Sequence, residues 1–272
     1  MVVFPNAKIN LGLNVIERRN DGYHNILSVF YPIKLCDGLE FVENIKTRGD
    51  EMHFSGLAVP GNSNENLCIR ALRLMRSVGS IPPLTIYLHK NIPMGAGLGG
   101  GSADGSFFLM ALNSHFNVGL TTDQLKGMAL KLGSDCPFFI ENTPRAVSGI
   151  GEKMISIRPI LKGKTIVVVF SDIHISTASA YREMELNHPE ISPAELVLNM
   201  ELQDWKAGLN NDFERFAFRE YPELKETKEN LYKCGAAYAS MTGSGSAIYG
   251  IFEKTPNDLS RFSKGTYWVG KL

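Results

Sequence analysis

The sequence lacks any hydrophobic run long enough to cross a membrane. Even the aliphatic run at residues 166–170 is far shorter than the ~20 residues that a transmembrane helix needs. The chain also begins without the apolar core and cleavage pattern of a secretory signal. We therefore predict a cytoplasmic protein.

An excess of either charge is absent as well. Lysine and arginine together number 28, and so do aspartate and glutamate. A protein that binds nucleic acid or an anionic membrane through its overall charge would carry a basic surplus. We therefore predict neither partner, and the sequence does not indicate an oligomeric state.

Closely spaced cysteines are missing too. The four cysteines form no Cys-x-x-Cys pair; they are Cys36, Cys68, Cys136 and Cys234. This spacing argues against a structural zinc site and against a disulfide framework. We expect reduced cysteines that pack as small apolar side chains.

The length of 272 residues exceeds that of a typical single domain, so two domains are expected, with a boundary around residues 159–163. Alternating hydrophobicity and turn signals predict strands at residues 8–15, 26–33, 39–42, 84–88, 165–170, 238–241 and 247–252. Apolar spacing and capping residues predict helices after Asn64 or Asn66, over residues 103–113, from Thr121 to Leu132, and over residues 211–221 and 223–234.

The densest signal is a glycine run with five glycines in seven positions, at residues 95–101. Without side chains, backbone N–H groups can converge on an anion, and a helix that follows adds the partial positive charge of its N-terminus. The run leads directly into an apolar segment that predicts a buried helix. A phosphate chain is the expected ligand, and the alternative is a flexible surface turn.

Three familiar phosphate-binding signatures do not fit this run. The dinucleotide fingerprint requires a strand directly before it and a carboxylate ~20 residues later, but residues 115–120 contain none. A Walker loop requires lysine where Gly101 stands. The His-Arg-Asp and Asp-Phe-Gly motifs of protein kinases are missing.

Three motifs together resemble the GHMP kinases, a family that includes galactokinase, homoserine kinase and mevalonate kinase. They are Pro-Asn-Ala-Lys-Ile-Asn-Leu from Pro5, the glycine run from Pro93, and Met-Thr-Gly-Ser-Gly-Ser-Ala from Met241. The resemblance implies an α+β, two-domain GHMP kinase fold. Residues 1–158 would form the ATP-binding domain of the ribosomal S5 domain 2-like type, and residues 159–272 the ferredoxin-like C-terminal domain.

Two further stretches resemble one member of that family. They are Asp-Gly-Tyr-His from Asp21 and Gly-Ser-Asp-Cys-Pro-Phe-Phe from Gly133. This resemblance implies an enzyme that uses ATP with Mg²⁺ to phosphorylate the C2 hydroxyl of a cytidine-diphosphate-linked methylerythritol, in the non-mevalonate isoprenoid route.

The resemblance also implies a catalytic pair. Asp135 would accept the proton of the attacking hydroxyl, and Lys8 would keep that carboxylate ionised and stabilise the developing alkoxide. From the residues alone, two simpler interpretations stay open: Asp135 as a helix cap or turn acid, and Lys8 as a strand lysine that reaches solvent.

The remaining site residues follow from the same alignment of motifs. The predicted ATP-binding residues are Pro93, Met94, Gly95, Ala96, Gly97, Leu98, Gly99, Gly100, Gly101, Ser102, Ala103, Asn66 and Lys90. The predicted substrate-binding residues are Asn10, Tyr23, His24, Thr177 and Tyr181, of which Tyr23 and Tyr181 would stack on the cytosine. The metal ligands stay open, as does the partner of the Gly243-Ser244-Gly245 turn: the nucleotide, the substrate diphosphate, or neither.

Two alternative functions stay open. Another GHMP kinase, of the homoserine or mevalonate type, would share the glycine run but not the Tyr23-His24 pair. A non-catalytic protein that binds phosphate or RNA would use the same run only as an anion clamp.

Overall fold

The computed structural model describes residues 1–45 and 49–272. The strands in these ranges are β1 Val2–Val3, β2 Asn6–Arg18, β3 His24–Cys36, β4 Gly38–Glu43, β5 Glu51–Gly56, β6 Leu84–Lys90, β7 Arg145–Ser148, β8 Lys153–Ser156, β9 Thr165–Val169, β10 Tyr238–Met241, β11 Ile248–Phe252 and β12 Tyr267–Lys271. The helices are α1 Leu67–Arg76, α2 Gly100–His115, α3 Thr122–Leu132, α4 Cys136–Glu141, α5 Thr177–Arg182, α6 Pro193–Asn199, α7 Phe213–Glu220 and α8 Pro222–Lys233. None of these helices combines the length and hydrophobicity that a bilayer crossing requires.

The chain forms two compact units, each assembled from separate segments. The first unit comprises Met1–Ala7, Leu35–Met94 and Gly99–Asn142, and the second comprises Lys8–Lys34, Gly95–Leu98 and Thr143–Leu272. These units are defined by contacts within the structure, not by the family's domains. The predicted division of the family domains after residue 158 therefore stays a prediction.

The first unit is a four-stranded sheet packed against helices. Its strand order is β1-β4-β6-β5, and β5 runs parallel to β6. The apolar faces of α1 and α2 bury the core with the sheet, where Phe41 lies edge-on to Phe108. The predicted cap of α1 is confirmed, because the Asn66 side-chain oxygen accepts a hydrogen bond from the Cys68 N–H, 2.9 Å away.

Helices α2 and α3 test two further predictions. The capping box of α3 is confirmed, with reciprocal hydrogen bonds between Thr121 and Gln124. Helix α2 begins at Gly100, three residues before the predicted start. Apolar periodicity cannot detect this first turn, because its residues are glycine and serine.

The second unit contains two four-stranded sheets, of order β2-β3-β7-β8 and β10-β11-β9-β12. The predicted turn between β2 and β3 is confirmed, and Gly22 adopts φ +86° in it. Strand β9 is buried at all five positions, which explains its run of β-branched residues. The core of this unit joins β2, β3 and the C-terminal sheet through residues such as Val15, Ile26 and Val167.

Candidate active site

The backbone of the glycine run alternates in conformation. Gly95, Gly97 and Gly99 adopt φ values of +70°, +78° and +72°, which disfavour residues with a side chain. Gly99 occupies the N-cap position of α2, and no side chain caps this helix. The first N–H groups of α2 are therefore available to an anion, as in other helix N-termini that bind phosphate.

Space also restricts two of these positions to glycine. A Cβ atom on Gly97 would lie 1.9 Å from the carbonyl oxygen of Thr242. The Gly97 carbonyl in turn accepts a hydrogen bond from the Thr242 hydroxyl, 3.0 Å away. A Cβ atom on Gly100 would lie 2.8 Å from a methyl group of Ile92. At Gly97 the close approach of another backbone segment requires glycine, and at Gly100 the packing of the Ile92 side chain does.

Lys8 lies on β2 and is almost completely buried, at 3% exposure. Its ammonium donates a hydrogen bond to the Asn10 side-chain oxygen at 2.6 Å and lies 4.6 Å from the centre of the Phe30 ring. Its backbone N–H donates to the Leu98 carbonyl at 2.9 Å. The interpretation as a lysine that reaches solvent is therefore wrong, and the second unit brings Lys8 together with the glycine run.

Asn10 connects Lys8 to the Gly243 turn. Its side-chain oxygen accepts a hydrogen bond from the Gly243 N–H at 3.0 Å and lies 3.3 Å from the Thr242 hydroxyl, and its amide donates to Ser28. The Gly243 carbonyl is held by the Asn211 amide at 2.9 Å. The turn therefore packs against Gly97 and Asn10, and is more than a plain hairpin connection.

Asp135 occupies the N-cap position of α4, half-buried, directly before Cys136 and Pro137. Its side chain does not cap the helix, so the interpretation as a capping acid does not hold. The Ser106 hydroxyl lies within hydrogen-bonding distance of both the Cys136 carbonyl, at 2.8 Å, and the Ser102 carbonyl, at 2.7 Å. This hydroxyl joins the start of α4 to the first turn of α2. The predicted pairing of Lys8 with Asp135 stays a prediction.

A cavity of about 270 Å³ lies in the first unit. Four predicted ATP-binding residues line it: Asn66, Lys90, Met94 and Gly101. Other lining residues were not predicted, among them Phe54, Asn62, Ser63, Leu88 and Asp104. The structure therefore gathers part of the predicted ATP site from three separate stretches of the chain.

Lys90 is fully buried, and its ammonium contacts the carboxylates of Asp37 and Asp104. Burial alone would lower the pKa of Lys90, but the two carboxylates outweigh it and raise that pKa. We call Asp37, Lys90 and Asp104 the ion cluster. A contact between Lys90 and adenosine stays a prediction.

The predicted cytosine-binding residues lie in the second unit. The rings of His24 and Tyr181 stack, with centroids 4.8 Å apart and planes inclined by 24°, and Tyr23 is 59% exposed beside them. At this spacing no base fits between His24 and Tyr181. Burial, helped by the charge of Arg18, lowers the pKa of His24, so the imidazole is neutral at pH 7.

Thr177 begins α5 and lies exposed beside the Gly243 turn. Its hydroxyl is 3.0 Å from the Ser244 hydroxyl. The ends of α5 therefore carry two predicted substrate contacts, Thr177 and Tyr181, on one short helix.

Within the described ranges, no group of three His, Cys, Asp or Glu side chains could hold a metal ion.

Two family models define the class of this protein as the GHMP kinases. The models of the GHMP kinases N terminal domain and of the GHMP kinases C terminal domain match residues 66–142 and 194–263. The fold agrees: the chain is similar to homoserine kinase from Cytophaga hutchinsonii, at 15% identity and a TM-score of 0.69 over 98% of this chain and 95% of that one. It is also similar to mevalonate kinase from Methanococcus jannaschii, at 16% identity and a TM-score of 0.72 over 100% and 98%.

Relatives of higher identity narrow the class. A 4-diphosphocytidyl-2-C-methyl-D-erythritol kinase of Azobacteroides pseudotrichonymphae genomovar. CFP2 is 44% identical over 97% of each chain, and one of Parabacteroides distasonis is 42% identical over 100% of each. A crystal structure of 4-(cytidine 5'-diphospho)-2C-methyl-D-erythritol kinase superposes with a TM-score of 0.82 at 33% identity, covering 99% of this chain and 98% of that one. The chain belongs to the 4-diphosphocytidyl-2-C-methyl-D-erythritol kinase family.

The predicted two-domain α+β GHMP kinase fold is thereby confirmed, as is the predicted class of enzyme, a small-molecule kinase. The sequence did not predict that Asn10 connects Lys8 to the Gly243 turn. It also did not predict the contacts made at the site by Ser28, Asp37, Asp104 and Asn211. Of these, only Asn10 lay in a motif.

Proposed function

We propose that the protein transfers the γ-phosphoryl group of ATP to the C2 hydroxyl of 4-diphosphocytidyl-2-C-methyl-D-erythritol, a step of the non-mevalonate isoprenoid pathway. The observation that carries this proposal is the identity of 44% over 97% of the chain with a relative that bears this name. The exposed ring of Tyr23, next to His24 in the sequence, would suit stacking on a nucleobase and so supports the same substrate.

The glycine run holds the phosphates in this proposal. Backbone N–H groups at the start of α2 face the β- and γ-phosphates, and the helix adds its partial positive charge. The cavity beside Asn66 and Lys90 would receive the adenosine. Positioning and charge stabilisation supply most of the catalysis of phosphoryl transfer, which suits a site built largely from backbone.

Asp135 and Lys8 act on the acceptor hydroxyl. As the hydroxyl oxygen attacks the γ-phosphorus, the bond to the β-phosphate oxygen breaks, ADP leaves, and the Asp135 carboxylate takes the hydroxyl proton. Asn10 orients the ammonium of Lys8, which stabilises the developing negative charge.

A magnesium ion fits the donors that the loop presents. Mg²⁺ prefers oxygen ligands and keeps several waters, so it needs few protein groups. The hydroxyl of Ser102, in the first turn of α2, would hold the ion together with phosphate oxygens and water. When bound, Mg²⁺ neutralises charge on the β- and γ-phosphates.

Tyr23, His24, Thr177 and Tyr181 recognise the cytidine half of the substrate. A neutral imidazole can both donate to and accept from the base edge, and an exposed tyrosine ring can stack on the base for about 1–3 kcal/mol. Because His24 and Tyr181 already stack, the base binds against the open face of Tyr23, or it displaces one ring of the pair.

An acceptor panel tests this function. The purified protein would be incubated with ATP, Mg²⁺ and one of three alcohols: 4-diphosphocytidyl-2-C-methyl-D-erythritol, homoserine or mevalonate. We expect ADP release only with the cytidine substrate. Turnover with homoserine or mevalonate alone would overturn the proposal, and RNA binding without any ATP turnover would favour the non-catalytic alternative.

A further inference from the structure

The ion cluster is built from residues on both sides of the glycine run in the sequence. Lys90 is the last residue of β6, and Asp104 lies in the second turn of α2. The ammonium is 2.7 Å from an oxygen of Asp104 and contacts Asp37, and the three side chains are 0–4% exposed. All three belong to the first unit.

Asp37 fixes the entry to the glycine run. The oxygen of Asp37 that does not contact Lys90 accepts hydrogen bonds from the N–H groups of Asn91 and Ile92, at 2.6 and 2.9 Å. These residues immediately precede Pro93, two residues before the run begins at Gly95. The chain therefore leaves β6 in a direction that a buried carboxylate determines.

Asp104 and Lys90 fix the exit of the glycine run, where the chain continues into α2. Asp104 ties the start of α2 to Lys90, and a Cβ atom on Gly100 would lie 3.4 Å from the same ammonium. The entry and the exit of the run are thus joined through one buried lysine. A loop whose two ends are held in this way loses less conformational freedom when a ligand binds.

The second oxygen of Asp104 has no hydrogen-bond partner among the described residues. The contact of Asp104 with Lys90 is therefore the interaction that links the start of α2 to the rest of the cluster.

We propose that Asp37, Lys90 and Asp104 are positioning residues that hold the glycine run in the conformation that binds ATP. The inference rests on the proposed function only in that the run binds ATP. It does not depend on which alcohol receives the phosphoryl group.

Calorimetric titration of the full chain with a non-hydrolysable ATP analogue and Mg²⁺, without an acceptor, tests the inference at pH 7.5. Asp104→Asn keeps an oxygen that can accept from Lys90, so its Kd should stay within about threefold of the wild-type value.

A second variant removes the hydrogen bond between Lys90 and Asp104. Asp104→Leu fills a similar volume without an acceptor, and we expect its Kd for the analogue to rise roughly tenfold, the usual effect of one lost charged hydrogen bond. With saturating acceptor, its KM for ATP should rise while its KM for the acceptor stays unchanged. Asp123→Asn, at a 95% exposed aspartate on α3, is the matched control and should behave as the wild type.

Two outcomes would overturn the inference. One is an Asp104→Asn protein that folds but binds the analogue as weakly as Asp104→Leu. The other is an Asp104→Leu protein that melts cooperatively and binds the analogue as the wild type does. If Asp104→Leu does not fold, Asp37→Asn replaces it, because this variant removes the other carboxylate that contacts Lys90; an unchanged Kd would then overturn the inference. Phosphorylation of a different alcohol would overturn the proposed function and leave the ATP titrations valid.

Discussion

The ammonium of Lys8 donates a hydrogen bond to the side-chain oxygen of Asn10, two residues further along the same strand and 2.6 Å away. The same oxygen accepts from the Gly243 N–H. One amide group thus orients a proposed catalytic lysine and holds a turn that packs on the glycine run. Asn10 therefore contributes to the site through its neighbours, in addition to any contact with the substrate.

Asn10→Ala should lower kcat by roughly 10–100-fold, because the Lys8 ammonium loses an oriented acceptor. It should also lower the free energy of unfolding by about 1–3 kcal/mol, because the buried donors that Asn10 satisfied are left without an acceptor. Steady-state kinetics and urea unfolding measure the two effects. Asn14→Ala is the matched control: Asn14 is also buried on β2, but its amide donates to Asp212. Equal losses of kcat in both variants would contradict this role of Asn10.

Asp135→Asn should lower kcat by roughly 10²–10⁴, the usual contribution of a general base, because an amide cannot take the hydroxyl proton. The KM values for ATP and for the acceptor should change little, and the melting temperature should stay close to that of the wild type. Asp123→Asn, on the exposed face of α3, serves again as the control. Near-normal turnover would show that the proton leaves by another route.

His24→Ala should raise the KM for the cytidine substrate and leave the KM for ATP unchanged, because the His24–Tyr181 stack belongs to the proposed base pocket. A loss of one to two neutral hydrogen bonds corresponds to roughly a tenfold rise. The exposed His188 supplies the control variant, His188→Ala. A fall in ATP affinity instead would show that His24 belongs to the ATP pocket and that the two pockets have been assigned the wrong way round.

Gly97→Ala should abolish measurable binding of ATP, because its Cβ atom would lie 1.9 Å from the Thr242 carbonyl oxygen and its φ is +78°. The run would have to move away from the Gly243 turn to accept the methyl group. Gly127→Ala, on α3 with no heavy atom within 4 Å of its added Cβ, is the control and should be neutral or slightly stabilising. ATP binding by Gly97→Ala at wild-type affinity would show that the packing of the run on Thr242 is dispensable.

Stability should fall with rising pH through Asp104. Its carboxyl holds a proton in the folded protein up to about pH 8, whereas in the unfolded chain it loses that proton near pH 4. Between these values the folded state binds more protons, so the contribution is fully present below pH 4 and is lost as pH approaches 8, at no more than about 1.4 kcal/mol per pH unit. Urea unfolding between pH 5 and pH 8 should show a steeper decline for the wild type than for Asp104→Asn, and parallel curves would contradict the raised pKa.

Local signals account for what the sequence predicted well. The cap at Asn66, the capping box at Thr121 and the turn at Gly22 each depend on residues a few positions apart, and all three were confirmed. The glycine run was also recognisable, because its composition leaves few alternatives. Its function required the two motifs at the ends of the chain.

Contacts between distant segments account for what was missed. The ion cluster joins residues 37, 90 and 104, and nothing local distinguishes Asp37 from a turn aspartate or Lys90 from a strand lysine. Lys8 was open to a solvent-exposed interpretation for the same reason. One of its partners, the carbonyl of Leu98, comes from a segment 90 residues further along the chain.

The segmented second unit has a consequence for synthesis on the ribosome. Leu13, Val15 and Ile26 are at most 5% exposed in the folded protein, and the partners that bury them, such as Val167 and Phe213, come from the second half of the chain. At roughly 5–20 residues per second, about 7–30 s pass between the synthesis of Ile26 and that of Val167. During this interval strands β2 and β3 present an uncovered apolar surface, so the nascent chain passes through an aggregation-prone stage, and truncated N-terminal fragments should be poorly soluble.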